Sequence, residues 1–358
     1  MKDSPEQEQY GAYVGRIARG AGIGSFGQGV GRALNFLTQI ALARMYGPAL
    51  LGFYVLGTTV IQMCSGLAQF GMGNGMVRYV AHYRAQGDAA RVRGTILIVL
   101  WTAFALSTFF AILLFFGADF LADTVFNKPA SDSVFRAFSI CLPFFTVMNM
   151  VLVATQAFQT MKYTSYVKEI QRPLLNLVLV VVFYLLGAQI VGAVIAYALS
   201  FAAGVVISFL YLRRIFPRLF DRGTPPKFEP RAVFSASAPM VIANFGTSMS
   251  SWIVVTILGI MAAAESVGIF NAAVRTAALS ALVLAAFSNI FSPMVSGLYA
   301  NGRMEELGSL YRDVSRWVFT GSLGIFLLTV LLARDIMAVF GPEFVDGWVV
   351  MVVVASGQ

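Results

Sequence analysis

The sequence predicts an all-α polytopic membrane protein: two pseudo-repeated six-helix bundles around a central cavity, the second incomplete, with about ten transmembrane helices present. Three observations predict this. Of the 358 residues, 58% are hydrophobic and only 12% charged, with a mean hydropathy of +0.77; that is about the apolar content of ten spans of ~20 residues. The apolar runs are continuous and rich in Leu, Val, Ala, Phe and Gly, unlike the alternating ten-residue segments of a membrane β-barrel. One long polar linker, 213–231, carries Pro217, Pro225, Pro226 and six basic residues and divides the chain.

The elements follow in order. Apolar runs near Ala21 to Met45, Leu50 to Phe70, Thr95 to Phe116 and Phe135 to Gln159 give spans one to four. The tract from Leu174 to Leu212 is too long for one crossing and breaks at Gly187-Ala188-Gln189, giving spans five and six. Span five is short unless Gln171 to Pro173 enters it. Runs at Phe234 to Ala262, Val267 to Phe291 and Val318 to Leu332 follow, and Trp348 to Ala355 begins a tenth. The predicted organisation is an N-terminal segment 1–19, a first bundle 20–212, the basic linker 213–231, and a second bundle 232–358 truncated in its fourth helix. A shift of 216 residues places Asn244 on Gln28, Gly268 on Gly52, Phe270 on Tyr54 and Tyr299 on Tyr83. An even number of crossings separates the halves, so the repeat is parallel, about an axis along the membrane normal. A complete second half would need twelve crossings, so the sequence reads as a piece of a longer protein.

Charge sets the orientation. With the N-terminus inside, nineteen of the twenty-five Lys and Arg fall in inner segments, Arg172 among them, and only Lys128, Arg136 and Arg334 fall outside. The positive-inside rule then makes the N-terminus cytoplasmic. No basic n-region with a short apolar stretch precedes the first span, so it reads as retained and not as a cleaved signal. The stretch Phe116 to Ser133 and the segment Arg78 to Arg93 read as solvated connectors, the latter able to meet anionic headgroups.

Several chemistries are excluded. The net charge of +8 is spread between apolar runs, a topology signal and not a nucleic-acid face. Cys64 and Cys141 sit alone in apolar runs, and His82 is the single histidine, so neither disulfide, metal site nor hydrolase triad is indicated. With no phosphate loop and no cofactor motif, the chain is not expected to be an enzyme.

Embedded polar residues carry the functional signal. Ser25, Gln28, Arg32, Asn35 and Gln39 follow steps of three and four residues and share one helical stripe. Tyr54, Thr58, Gln62, Ser65 and Gln69 form a second stripe. Span seven carries Asn244, Ser248 and Ser251, and span eight carries Asn271 and Arg275 one turn apart. Polar groups in hydrocarbon need partners or water, so these faces should converge on a cavity. Ser and Thr are read as interhelical glue, whereas a central arginine costs about 2.5 to 3.5 kcal/mol and calls for a function. Arg44, before Tyr46-Gly47-Pro48, reads as a headgroup anchor. No Asp or Glu interrupts an apolar run, so the cavity should be cationic and suit phosphate or pyrophosphate. Pro143 and Pro239 permit kinks in spans four and seven.

Four stretches now give a resemblance: GRALNFLTQIALARMYGPALLGFYVL at Gly31 to Leu56, QFGMGNGMVRYVA at Gln69 to Ala81, SVGIFNAAVRTAAL at Ser266 to Leu279 and SPMVSGLYANGRMEEL at Ser292 to Leu307. Together they are similar to the polysaccharide-export flippases of the multidrug/oligosaccharidyl-lipid/polysaccharide (MOP) exporter superfamily. The resemblance implies a bacterial inner-membrane protein that moves an undecaprenyl-pyrophosphate-linked oligosaccharide across the membrane by alternating access, for O-antigen, capsule or exopolysaccharide synthesis. Its partners would be that substrate, membrane lipids and glycan-assembly proteins such as a polymerase. On this reading Arg32 and Arg275 hold the pyrophosphate, and Gln28, Asn35, Gln39, Gln62 and Asn271 hydrogen-bond sugar hydroxyls. Two alternatives stand beside it. One is a cation-coupled multidrug exporter of the same superfamily, which would want an embedded carboxylate; the other is a non-transporting accessory subunit of a glycan-assembly complex.

Overall fold

In a computed structural model the chain is all-α, with no strand among the described residues. The structure describes the backbone of residues 5–221, 223, 225–279, 291, 294–295, 297–299 and 302–357, and side chains from residue 27 onward except 236, 242–245, 247, 248, 250 and 251. Among these residues, five helices are long and apolar enough to cross a membrane: Gly27–Gln69, Ala89–Phe116, Pro129–Gln156, Ile190–Ile215 and Met304–Leu331. One join accounts for part of the difference from the ten runs in the sequence. Helix α1 (Pro5–Gln69) contains spans one and two, which meet at Gly47. There φ is 76°, a left-handed conformation open to glycine, and Pro48 follows, so the axis changes direction without a loop. After a break at Phe70 and Gly71, α2 (Met72–Ala85) extends the second span. Then come α3 (Ala89–Phe116), α4 (Asp132–Gln156), α5 (Arg172–Leu185) and α6 (Ile190–Ile215). Helices α7 (Pro230–Met261) and α8 (Ala264–Ala277) follow the linker.

The chain divides into two compact units, Met1–Val267 and Gly268–Gln358. In the first, α4 packs on α6, α3 and α1, while α7 packs on α1 and α2. Its core includes Met76, Val80, Ile96, Val99, Val151 and Leu212. Outward faces stay apolar, with Trp101, Phe109 and Ile112 more than half exposed, as lipid-facing helices require. In the second unit, α9 (Met304–Leu331), α10 (Ala333–Ala338) and α11 (Trp348–Ser356) surround a short turn, 342–347, with Phe340 and Phe344 buried. Arg334 lies 5.1 Å over the Trp348 ring. Helix α9 starts well before the expected span: its first turn is charged and is tied down by an Arg303 to Glu306 ion pair of 2.5 Å.

Both connectors expected to be solvated are packed. In the outer one, Phe126 is buried and stacks on Phe135 at 5.5 Å, and Lys128 Nζ donates to the carbonyls of Phe126 and Gly259. Burial pushes the Lys128 ammonium below the ordinary lysine range. In the inner one, α2 buries Met76, Val80 and Tyr83, because every third or fourth residue is apolar and finds α3 alongside. His82 is exposed on the same helix. The linker, too, is held. Lys227 N–H donates to Ala90 C=O at 3.0 Å, and Tyr83 Oη donates to Glu229 Oε2 at 2.5 Å. Glu229 Oε1 pairs with Arg91 at 2.8 Å, and the Arg91 guanidinium lies 5.5 Å over the Tyr83 ring. The hydrogen bond to Glu229, aided by burial, pushes the Tyr83 phenol up to about 12.

Candidate functional site: an arginine held inside the first unit

The segment preceding α5 winds wide. Ser165–Gln171 is a π-helical stretch, and it packs on the first arm of α1. The approach is close at Gly31: a Cβ there would lie 2.6 Å from Glu169 Oε2 and 2.7 Å from the Glu169 carbonyl oxygen. Only glycine leaves that room. Stretches of π-helix inside helical runs are frequent at functional sites, because the extra residue re-aims the side chains that follow.

The residue re-aimed here is Arg172, the first of α5, with Pro173 at a helix-start position that tolerates proline. Arg172 Nη2 donates to Asn35 Oδ1 at 3.1 Å, and its guanidinium lies 5.0 Å over the Phe201 ring. Asn35 Nδ2 donates back to the Gly31 carbonyl at 2.7 Å, which fixes the amide with its oxygen towards Arg172. Phe201 belongs to an aromatic wall in which Tyr197 is 4.7 Å from Phe201 and Tyr54 is 5.9 Å from Tyr197. Asn176, one turn along α5, lies beside Tyr54.

The wall leaves polar capacity unspent. Gln171 Oε1 and Asn176 Oδ1 are buried and have no hydrogen-bond partner among the described residues. Buried acceptors cost about 1 to 3 kcal/mol each when unmet, so such groups are normally met by water or a ligand. Glu169 forms no ion pair among the described residues, leaving a carboxylate and the Arg172 guanidinium on the same short segment.

The expected site residues are distributed as follows. Gln28 and Arg32 are exposed on α1, Asn35 is half-buried against Arg172, and Gln39 is buried. On the second arm, Gln62 is half-buried. Of its neighbours, Ser65 is interhelical glue, accepting from Thr146 Oγ1 of α4 at 2.9 Å, while Gln69 Nε2 donates to Ser65 Oγ and Thr58 Oγ1 to Val55 C=O within α1 itself. In the second unit, Arg275 Nε donates to Asn271 Oδ1 at 3.0 Å. The side chains of Ser25, Asn244, Ser248 and Ser251 lie outside the described residues. Sequence reasoning counted Arg172 among the residues of an inner segment and did not single out Glu169. The available signal was the shortness of span five, which reaches bilayer length only if Gln171 to Pro173 join it.

Long apolar helices enclosing an arginine, amides and a carboxylate define a multi-pass membrane protein with a polar interior. A family model described as polysaccharide biosynthesis protein matches residues 17–298, and the chain belongs to that family. Stage V sporulation protein B of Bacillus subtilis (strain 168) is 25% identical over 186 residues, which is 51% of this chain and 36% of that protein. The match thus spans about a third of that relative's length.

Among solved structures, the fold is similar to an inward-facing multidrug resistance MATE family transporter of the MOP superfamily (TM-score 0.68, 17% identity, 90% of this chain and 76% of that chain). It is also similar to the outward-facing conformation of such a transporter (TM-score 0.62, 16% identity, 94% and 77%). A third is a MOP superfamily transporter from Pyrococcus furiosus, for which a binding pocket of reversed polarity suggested a different function (TM-score 0.60, 17% identity, 94% and 77%). The family is therefore that of polysaccharide biosynthesis proteins, and the fold is similar to that of MOP superfamily transporters.

Proposed function

We propose that the protein is a flippase that moves a lipid-linked oligosaccharide, carried on undecaprenyl pyrophosphate, from the cytoplasmic to the periplasmic leaflet. Membership of the polysaccharide biosynthesis family supports the glycan. The observation that carries the reading is the Arg172 guanidinium held on Asn35, on the helix that also presents Arg32. Forked cations in a dry interior favour phosphate oxygens, and amides beside them suit sugar hydroxyls. In this reading Arg32, Arg172 and Arg275 bind the pyrophosphate, and Gln28, Asn35, Gln39, Gln62 and Asn271 bind sugar. O-antigen, capsule and exopolysaccharide precursors all carry this chemistry, and a polymerase that consumes the flipped product is the natural partner.

The test is the amount of lipid-linked oligosaccharide on the cytoplasmic leaflet in cells deleted for the gene. Accumulation that the restored gene relieves, and that an Arg172→Ala gene does not, supports the proposal. No accumulation in a strain lacking redundant flippases would refute it.

One observation favours a second reading, the cation-coupled drug exporter. Glu169 brings a carboxylate against Gly31 of α1, and that reading wants such a group. Drug resistance on overexpression, abolished by Glu169→Gln, would decide for it.

A further inference from the structure

A basic cavity lies where α6 ends, apart from the Arg172 cluster. The last turn of α6 carries Arg213 and Arg214, and Pro217 then opens a short turn that leads the chain away. Tyr166, from the π-helical segment, faces this corner. Tyr166, Leu210, Tyr211, Arg213, Arg214 and Pro217 line a cavity of about 630 Å³, within the ~300 to 1,000 Å³ of small-molecule sites. Its aromatic wall is braced: Tyr211 lies 4.5 Å from Tyr163 and 6.2 Å from Tyr166. The two guanidiniums are not. Among the described residues neither has an ion-pair or hydrogen-bond partner.

Basic residues in a last helical turn are ordinary complements to the helix dipole. Three features go beyond that. The arginines are adjacent and share a concave site, the wall is made of tyrosines, a residue type that favours the headgroup region, and the floor is apolar. Ile207 lines the same cavity one turn back along α6, and Leu210 is 55% exposed there. A ligand matching this surface has an anionic phosphate at one end and a hydrocarbon chain at the other. The charge distribution puts this end of α6 at the cytoplasmic leaflet, where anionic lipids concentrate.

We propose that this cavity binds one anionic phospholipid of the cytoplasmic leaflet, its phosphate between Arg213 and Arg214 and an acyl chain along Ile207 and Leu210. The site shares no residue with the Arg172 cluster, so it stands or falls apart from the transport reading.

Native mass spectrometry of the purified protein, with phosphatidylglycerol or phosphatidylethanolamine added in equal amounts, tests it. The unaltered protein should retain one phosphatidylglycerol in preference to phosphatidylethanolamine. Arg213→Gln with Arg214→Gln should weaken that binding about thirty-fold, two charges at about 1 kcal/mol each. Arg213→Lys with Arg214→Lys should lose only a few-fold. A control pair removing two basic residues elsewhere, Arg78→Gln with Arg231→Gln, should change it less than three-fold. Phosphatidylglycerol with a photoreactive acyl chain should label α6 near Leu210 in the unaltered protein, which keeps the test open if the Gln pair does not fold. Equal retention of both lipids, an equal loss in the control pair, labelling only elsewhere, or occupancy by an isoprenyl pyrophosphate in place of phosphatidylglycerol would each overturn the proposal.

Discussion

Replacing Gly31 by alanine tests the link between the π-helical segment and the embedded arginine. The new Cβ would lie 2.7 Å from the Glu169 carbonyl oxygen, whereas ordinary contact begins near 3.4 Å, so the segment must retreat by about 0.7 Å. Arg172 continues that segment directly. If Arg172 moves with it, the 3.1 Å hydrogen bond to Asn35 opens to about 3.8 Å, past the length at which it counts as one. A charge-assisted hydrogen bond contributes about 1.5 to 3 kcal/mol, so binding through Arg172 should weaken roughly 10- to 150-fold.

Gly29 is the internal control. It lies two residues away on the same helix, and a Cβ there meets nothing within 4 Å. Gly29→Ala should therefore stabilise the helix by about 0.8 to 1 kcal/mol, the ordinary preference for alanine. The two variants are predicted to move in opposite directions in thermal unfolding in detergent, and only Gly31→Ala should reduce clearance of the lipid-linked precursor. Adding Glu169→Ala should restore only part of the loss, since the backbone oxygen stays in place. Equal stability and equal transport of the two alanine variants would refute the argument.

Three further outcomes are expected. Arg32→Ala with Arg275→Ala, at normal expression, should leave the precursor on the cytoplasmic leaflet; full flipping by that pair would sink the charge clamp. Asn176→Leu removes a buried unpartnered oxygen, so melting should show the helix bundle unchanged or stabilised by up to about 1 to 3 kcal/mol while transport falls; a loss of both would mean that the amide is only structural. Tyr83→Phe should loosen the linker and speed tryptic cleavage near Lys227, and alkali should act in the same way. The folded phenol titrates near 12 against about 10 in the open chain. Its contribution is therefore complete below pH 10 and is lost as pH rises towards 12. Cleavage that stays constant across that window, with the Tyr83→Phe variant matching the parent, would dismiss the strap.

The all-helical class was legible because it rests on summed hydrophobicity, which composition reports directly. The glue role of Ser65 was legible as well, since a small hydroxyl on a polar stripe can meet a hydroxyl of a neighbouring helix, whereas Thr58 turns back to a carbonyl of its own helix. Joining of spans one and two at Gly47 was only half legible: Gly47-Pro48 marks a break, but whether a turn or a continuous kinked helix results depends on a single φ of 76°. Packing of the connectors was hidden for a different reason. Tyr83, Arg91 and Glu229 interact although the last two are 138 positions apart, and pairings at that range leave no periodic trace in sequence.

Arg172 and Glu169 show what a charge count by segment leaves out, because it records which run a residue adjoins and not which helix it packs against; here a π-helical stretch sets both beside the first arm of α1. Asn35 and the Phe201 ring hold the Arg172 guanidinium by a hydrogen bond and a cation-π contact. Glu169, three residues earlier, has no ion pair among the described residues, so a carboxylate and the Arg172 guanidinium share one short segment. An interior with both signs can hold a phosphate in one state and release it in another, provided the carboxylate competes for the guanidinium. Glu169→Gln is then the informative change: it should tighten precursor binding and slow its release, whereas Glu169→Asp should keep both steps. Faster release in the Gln variant would show that the carboxylate does not compete.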